Sequence, residues 1–416
     1  MSRPIKSSKW KSLWADRVRA ERRAMTGVLV AGLLLTSLAV LVSMRLPASQ
    51  VSTFVVCTRS TPGVNPLLYP PDTRLVEVSP RRARLFSEFE LTSRPQLSYR
   101  ADRLLFSARR AGDEYAQIWT MDTDGSAPRR VVTLDADCVT PAFLPDGRIV
   151  FSRVDRSAGC ARPAGSLVVR GDDATLTRIS FGADLDIVER ILGDGRILIR
   201  RISESNRAGE QLVLRPDGTE LEEYVGETSA ISVEARAVGG DSIQPHAADG
   251  AGSGASSVTL PDGYRILDSI RVVPRPRPPV ATSIVQPGRG YGWLLCLDAR
   301  LTDLRVDLEA ARRVRVVDAR SGEVLGIAPF SSDNSFYLKV PADRLLRLEL
   351  LDETGGVLVR QSQGIWVRPN EHRGCLGCHE PRYLSPANRS PLALEGEAIA
   401  IAGEGETQPV KARGRP

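Results

Sequence analysis

The chain has 416 residues, of which 42% are hydrophobic and 25% are charged, a composition that excludes an intrinsically disordered protein. The length favours two or three domains with terminal tails. The net charge is +6, but arginines alternate with acidic residues and no basic face stands out, so the positive excess does not indicate a nucleic-acid partner.

The N-terminus combines a basic segment, residues 1–24, with an uncharged apolar run, residues 25–44. A helix of this length spans about 30 Å, the thickness of a bilayer core. Basic flanks stay in the cytoplasm. We therefore predict a cytoplasmic segment, an uncleaved transmembrane anchor in the bacterial inner membrane, and a periplasmic location for the bulk of the chain. A cleaved signal peptide is the alternative.

Residues 45–94 are rich in proline and indicate an irregular lead-in with one short strand at Ser52–Val56. A repeat follows in residues 95–273. In each copy, an apolar strand containing Phe106, Phe151 or Ile199 precedes a second strand, and the period lies in the forties of residues. This pattern is typical of β-propeller blades, which bury their faces by stacking on one another.

The turns between these strands carry Asp-Gly pairs, as in Pro145-Asp-Gly147. A Pro-Asp-Gly turn before an apolar strand resembles the TolB-type propeller repeat. Three copies are clear, and a fourth blade would have to come from residues 222–273 or from the lead-in. The sequence therefore predicts a partial or small β-propeller.

A stiff Pro-rich linker, residues 274–279, forms the main domain boundary. Residues 280–368 then predict a small β-sandwich-like middle domain. Its predicted strands are Arg313–Asp318, Ser335–Val340, Arg344–Leu351 and Val357–Gln361. The fold class is accordingly mainly β, and residues 394–416 form a predicted disordered tail.

Residues 369–393 contain Cys375-Leu-Gly-Cys378-His379, the C-x-x-C-H attachment signature of c-type haem. Two thiols at this spacing each add to one porphyrin vinyl group, and the next histidine ligates the iron. We predict one covalent haem c held by Cys375 and Cys378, with His379 as the proximal iron ligand. Structural zinc and thiol redox chemistry are the alternatives.

The sixth iron ligand decides between electron transfer and reactive haem chemistry. His246, in a Gly/Ser-rich loop, is a candidate distal ligand, and the reach of His372 to the ring is strained. Further weak candidates are Met121, Tyr291 and Tyr383. Because histidine is scarce, we predict a sixth position that is open or readily displaced.

Five other residues leave alternatives open. Arg373 and Arg382 are candidates for pairing with haem propionates or are solvated charges. Trp366 either packs on the macrocycle or closes the sandwich. Cys138 forms a disulfide with Cys160 or is a buried thiol.

The segments Gly326–Val340, Leu350–Gly355 and above all Glu371–Glu380 resemble the hydrazine synthase alpha-subunit-like family. The resemblance covers residues 95–385 and implies a propeller, a β domain and a terminal haem motif. It also implies that the haem can be reactive.

Together these features predict a membrane-anchored periplasmic monohaem c-type cytochrome-like protein that transfers electrons to a protein redox partner or within a complex. The first alternative is a haem enzyme acting on small nitrogen or oxygen species. The second is a propeller-based binding protein with a structural haem.

Overall fold

The computed structural model describes residues 52–58, 72–79, 82–155, 164–203, 206, 209–224, 264–302, 305–362, 364–378 and 389–401. The predicted cytoplasmic segment 1–24 and transmembrane anchor 25–44 lie outside these residues. Within the described ranges, no helix is long and apolar enough to span a membrane. The observed secondary structure is almost entirely β, as predicted.

The first sixteen strands form the propeller-like part of the described chain. In chain order they are β1 (Thr53–Thr58), β2 (Arg74–Ser79), β3 (Arg82–Leu85), β4 (Leu91–Leu97), β5 (Arg103–Arg109), β6 (Gln117–Asp122), β7 (Arg129–Arg130), β8 (Asp137–Phe143), β9 (Ile149–Asp155), β10 (Ala164–Arg170), β11 (Leu176–Arg178), β12 (Leu185–Ile191), β13 (Ile197–Ile202), β14 (Glu210–Leu214), β15 (Glu222–Glu223) and β16 (Arg265–Arg271).

These strands build four antiparallel blades of four strands each. The first blade has the order β16-β1-β2-β3, the second β4-β5-β6-β7, the third β8-β9-β10-β11 and the fourth β12-β13-β14-β15. A single parallel pair, Gly165↔Leu185, joins the third and fourth blades. The repeated apolar strands with Phe106, Phe151 and Ile199 are β5, β9 and β13, the second strands of three successive blades.

The additional blade, for which the sequence offered residues 222–273 or the lead-in, is formed by strands from both regions. Strands β1, β2 and β3 come from residues 45–94, where β1 corresponds to the strand predicted at Ser52–Val56, whereas β2 and β3 lie in chain that was predicted to be irregular. Strand β16 then returns from residues 264–271 to pair with β1. Phe54 and Phe86 of this blade are fully buried against the second blade. A pairing between the two ends of a propeller is invisible to local sequence patterns, because its partners lie far apart in the chain.

Apolar side chains from adjacent blades interleave. Between the first and second blades, Phe89 packs edge-on against Phe106 and Trp119, with ring centroids 5.2 Å apart in both pairs. The core of the third and fourth blades also contains Leu345 and Trp366 from the middle domain. The middle domain therefore shares a core with the fourth blade.

The remaining strands form the middle domain. They are β17 (Tyr291–Cys296), β18 (Arg313–Asp318), β19 (Val324–Pro329), β20 (Phe336–Pro341), β21 (Leu346–Leu351), β22 (Val357–Arg360), β23 (His372–Cys375) and β24 (Ile399–Ala400), with a short 3-10 helix at Leu392–Glu395. Two four-stranded sheets, β23-β17-β20-β24 and β19-β18-β21-β22, pack face to face around a shared apolar core. This is a small β-sandwich.

The four strands predicted here are present as β18, β20, β21 and β22, and β18 has the predicted bounds. Strands β17, β19, β23 and β24 were not predicted, and β24 lies within the tail that the sequence indicated to be disordered. Strand β17 carries Gly292 in its interior, which weakens its β signal. The glycine is needed because a Cβ there would lie 2.8 Å from the Arg368 carbonyl oxygen and 2.9 Å from that of Glu371.

The Pro-rich linker crosses the turns of successive blades. The N–H of Arg275 donates to the Tyr99 carbonyl of the second blade at 3.0 Å. Arg277 donates to the Pro145 carbonyl of the third blade. The Pro279 carbonyl lies 2.5 Å from where a Cβ of Gly195, in the fourth blade, would stand. The linker is therefore part of the propeller surface.

Candidate haem-attachment site

A tight turn brings the chain from the core of the fourth blade to the haem motif. The N–H of Glu371 donates to the Arg368 carbonyl at 2.9 Å. Pro369 and Asn370 occupy the two central positions, and Asn370 has a φ of 71°. Proline followed by a residue with positive φ is the signature of a type II turn. Local sequence therefore fixes the direction in which the next strand leaves.

Strand β23 then runs parallel to β17 at the edge of its sheet, with Trp293 opposite His372 and Cys296 opposite Cys375. The hydrogen bonds continue past the strand. The Leu297 N–H donates to the Cys375 carbonyl at 3.0 Å, and the Cys378 N–H donates to the Leu301 carbonyl at 2.9 Å. Backbone contacts thus hold both ends of the C-x-x-C segment against the loop that follows β17.

Gly377, inside the motif, presses against that loop. A Cβ at this position would collide with the carbonyl oxygen of Leu301 and lie 2.9 Å from that of Asp298. At Gly374, just before the first thiol, an added Cβ would meet nothing within 4 Å. The motif is therefore closely packed on one side and open on the other.

Cys375 and Cys378 are both half-buried and in the thiol form, and both pack against the sandwich core. Two half-buried cysteines at this spacing, neither of them in a disulfide, fit the chemistry of thioether attachment. His379, the predicted proximal ligand, lies outside the described residues. Within the described ranges, no group of three or more His, Cys, Asp or Glu side chains is placed to hold a metal ion.

The described candidates for the sixth ligand are not brought to the thiols. His372 lies on the face of β23 opposite Cys375, because the two are three positions apart on a strand. Its ring stacks on Trp293 with centroids 4.0 Å apart. Tyr291 packs edge-on against Trp293, and Met121 is buried in the core of the first two blades. His246 and Tyr383 lie outside the described residues.

Two residues that the sequence offered for haem contact bind other parts of the described chain. Trp366 is fully buried where the middle domain meets the fourth blade, in edge-on contact with Phe181 at 6.1 Å. Its alternative role as a packing surface for the macrocycle is therefore not supported. Arg373 donates to the Leu221 carbonyl at 2.7 Å. Arg382 lies outside the described residues.

Sequence analysis missed two buried charges in the turn before β23. Arg368 is 4% exposed and pairs with Asp343 at 2.5 Å, and Glu371 is 2% exposed. Burial raises the pKa of Glu371, although N–H groups of Glu220 and Arg368 favour its charged form. Charged residues read as surface positions in a sequence. The only local feature of the sequence that pointed to this site was the adjacent turn at Pro369 and Asn370.

Two other cysteines, Cys57 and Cys138, lie in the propeller-like part, whereas Cys296 lies opposite Cys375 and is buried in the sandwich core. Burial raises the pKa of the Cys57 thiol to about 11, and burial also raises the pKa of the Cys138 thiol. Both side chains are fully buried in the propeller-like part. Cys138 is a thiol and not part of a disulfide, while Cys160 lies outside the described residues. High pKa values and burial make these thiols unreactive.

Fold and site together define a class of protein, in which propeller-like blades are followed by a β-sandwich that carries a C-x-x-C-H motif at its edge. Residues 302–380 match the family model described as the hydrazine synthase alpha subunit middle domain. The matched range includes strands β18 to β23 of the sandwich and the C-x-x-C-H motif. This match confirms the predicted resemblance to the hydrazine synthase alpha family over the middle domain.

Comparison with solved structures supports this fold. Hydrazine synthase from Kuenenia stuttgartiensis matches with a TM-score of 0.67 and 15% identity, over 84% of this chain and 72% of that chain. A putative TolB from Agrobacterium tumefaciens matches with a TM-score of 0.30 and 14% identity, over 36% and 56% of the two chains. TolB from Acinetobacter baumannii gives 0.33 and 11%, over 76% and 65%. The two TolB scores are too low to imply a common overall fold. No curated protein sequence matches significantly.

Proposed function

We propose that the chain is a monohaem c-type cytochrome-like protein, anchored in the inner membrane and facing the periplasm, that transfers electrons to a protein partner or within a complex. The observation that carries the proposal is the placement of Cys375 and Cys378. Both are partly accessible thiols, fixed by backbone hydrogen bonds at the edge of a sandwich that matches the hydrazine synthase alpha middle domain.

Covalent haem at this position would supply a one-electron iron couple. Cys375 and Cys378 would hold the ring edge, and His379 would ligate the iron. Because β23 is the outer strand of its sheet, a group attached at its end would lie at the edge of the middle domain. Electron transfer between proteins needs such a superficial position, since the partner must approach closely.

Haem retention through denaturing electrophoresis tests the proposal. The full chain, co-expressed with a cytochrome c maturation system, should keep its haem stain. Cys378→Ala should leave at most one thioether, and His379→Ala should weaken or abolish attachment. Cys138→Ala, which alters a buried thiol of a blade core, should keep the stain. Absence of haem from the wild-type chain, with zinc found by elemental analysis, would overturn the proposal.

One observation favours a second candidate, a haem enzyme acting on a small nitrogen or oxygen species. Among the described residues, the only histidine is His372, and its ring is stacked on Trp293 away from the thiols. The sixth iron position would then be open or readily displaced. The reduced protein should bind carbon monoxide rapidly, and His246→Ala should change the ferric spectrum little. A low-spin spectrum that is insensitive to carbon monoxide would instead support the electron carrier.

The anchoring part of the proposal rests on the basic residues 1–24 and the uncharged residues 25–44. A reporter that works only in the periplasm should be active when fused after residue 60. Activity of a cytoplasmic reporter at the same position would reverse the orientation. Recovery of the mature protein in the soluble periplasmic fraction would show that the segment is cleaved.

A further inference from the structure

We propose that the turn at residues 217–221 of the fourth blade positions the haem motif, so that the propeller-like part controls the accessibility and redox potential of the haem site. Four side chains just before the first thiol contact this turn, namely those of Trp366, Arg368, Glu371 and Arg373. We call these four side chains and the turn the junction cluster. The part of the inference that concerns the redox potential rests on the proposed function, but the part that concerns the position of the motif is testable without haem.

Two members of the junction cluster donate to carbonyl groups at the start of the turn. The indole Nε1 of Trp366 donates to Gly218 at 3.2 Å, and the Arg368 Nε donates to Asp217 at 2.9 Å. These bonds bridge residues 148 and 151 positions apart in sequence. They fix the chain immediately before the Pro-Asn turn.

The other two members act at the strand that carries the motif. Glu371 accepts a hydrogen bond from the Glu220 N–H at 3.0 Å, and the Arg373 Nη2 donates to the Leu221 carbonyl at 2.7 Å. Arg373 is one position inside β23 and two before Cys375. The strand is thus held on one side by β17 and through its side chains by the fourth blade.

Burial makes these contacts costly to lose. Trp366, Arg368 and Glu371 are 0%, 4% and 2% exposed. A buried polar group that loses its partner keeps its desolvation penalty, and a buried charge costs more. The turn itself is closely packed: Gly218 has a φ of 86°, and a Cβ there would collide with the Ile179 carbonyl oxygen. Because the turn at residues 217–221 is bonded to the buried segment 366–373, the position of the turn determines where the motif lies.

Loosening the junction cluster should expose the motif. Cys375 and Cys378 would spend more time in open conformations and react faster with alkylating reagents. A haem attached there would be more solvated, which lowers its reduction potential because water stabilises the more highly charged ferric iron. Both effects would arise without any change at the thiols or at His379.

Arg373→Met tests the inference, since it keeps an unbranched side chain and removes the donors. Arg373→Lys, which keeps one cationic donor, is the rescue variant. Arg289→Met is the matched control, because Arg289 binds Asn370 in the same segment at 2.9 Å without contacting residues 217–221. All variants carry Cys160→Ser, so that Cys375 and Cys378 are the accessible thiols to be followed by mass spectrometry.

In the full chain expressed without haem maturation, Arg373→Met should raise the iodoacetamide reaction rate of Cys375 and Cys378 several-fold, and Arg373→Lys should raise it less. Arg289→Met should match the parent. In the haem-loaded chain, the midpoint potential should be lowest in Arg373→Met and intermediate in Arg373→Lys. In Arg289→Met it should equal that of the parent. Equal thiol rates and potentials in Arg373→Met and Arg289→Met would overturn the inference. If Arg373→Met does not fold, Arg373→Lys decides on the same criteria. A parent without haem would refute the proposed function, whereas the thiol rates would still decide the positioning role.

Discussion

The carboxylate of Glu371 accepts a hydrogen bond from the backbone N–H of Glu220 at 3.0 Å, across 151 positions of sequence. This bond joins the strand that carries the haem motif to a turn of the fourth blade. The two parts of the chain on either side of the Pro-rich linker therefore share one buried interface. Small displacements of the middle domain against the fourth blade would break the hydrogen bonds of a carboxylate and an arginine that remain buried, which is energetically unfavourable.

Glu371→Ala should destabilise the purified chain by about 2–3 kcal/mol, because it leaves the N–H groups of Glu220 and Arg368 buried without their acceptor. Urea unfolding at pH 7, followed by tryptophan fluorescence, measures the loss. Glu353→Ala is the control, since Glu353 is exposed in a hairpin turn. An equal midpoint for the two variants would show that the carboxylate adds nothing to the interface.

The pH dependence of Asp217→Asn should differ from that of the parent. Burial would raise the pKa of Asp217, but hydrogen bonds from Thr219, Ser283 and the Ile284 N–H outweigh burial and lower it. A carboxyl with a lower pKa in the folded state stabilises the fold above its unfolded pKa, and this contribution is lost as the pH falls through the folded value.

The destabilisation caused by Asp217→Asn should therefore be largest at neutral pH and should shrink below about pH 4. Urea titrations of parent and variant between pH 7 and pH 3 measure the difference. A difference in unfolding free energy that stays constant over this range would contradict the lowered pKa.

Gly195→Ala should be more destabilising than Gly147→Ala. Both glycines occupy Asp-Gly turns with φ of 88° and 98°, so both substitutions strain the backbone by about 1 kcal/mol. Only at Gly195 does the new Cβ also meet the Pro279 carbonyl, at 2.5 Å. The additional loss should come with faster amide hydrogen exchange of the linker in Gly195→Ala. Identical stability of the two variants would show that the linker is not held at this turn.

Gly377→Ala should lower the yield of haem-loaded protein, whereas Gly374→Ala should not. A methyl group at Gly377 collides with the Leu301 carbonyl and displaces the segment between the thiols, while Gly374 faces open space. The ratio of haem absorbance to protein after co-expression with the maturation system measures the effect. A normal ratio in Gly377→Ala would mean that haem attachment does not require the observed shape of the motif.

The sequence by itself determined the features whose signal is local. Strand β18 alternates apolar and polar residues and has the predicted bounds. The Asp-Gly turns marked the blades because Asp146 and Asp194 each accept the N–H two residues on, which closes the turn within four residues. The C-x-x-C-H spacing and the resemblance to the hydrazine synthase alpha family are likewise recognised from short continuous stretches of sequence.

Only the tertiary structure decided which distant segments meet. Strand β16 completes a blade begun by β1, and β23 pairs with β17 in parallel, although neither pairing follows from the pattern of either strand alone. Arg368 and Glu371 read as surface charges, yet the fold buries them because backbone groups of the fourth blade and Asp343 satisfy them. Periodicity reports which side of a strand is apolar, whereas the identity of the partner depends on packing between segments far apart in the chain.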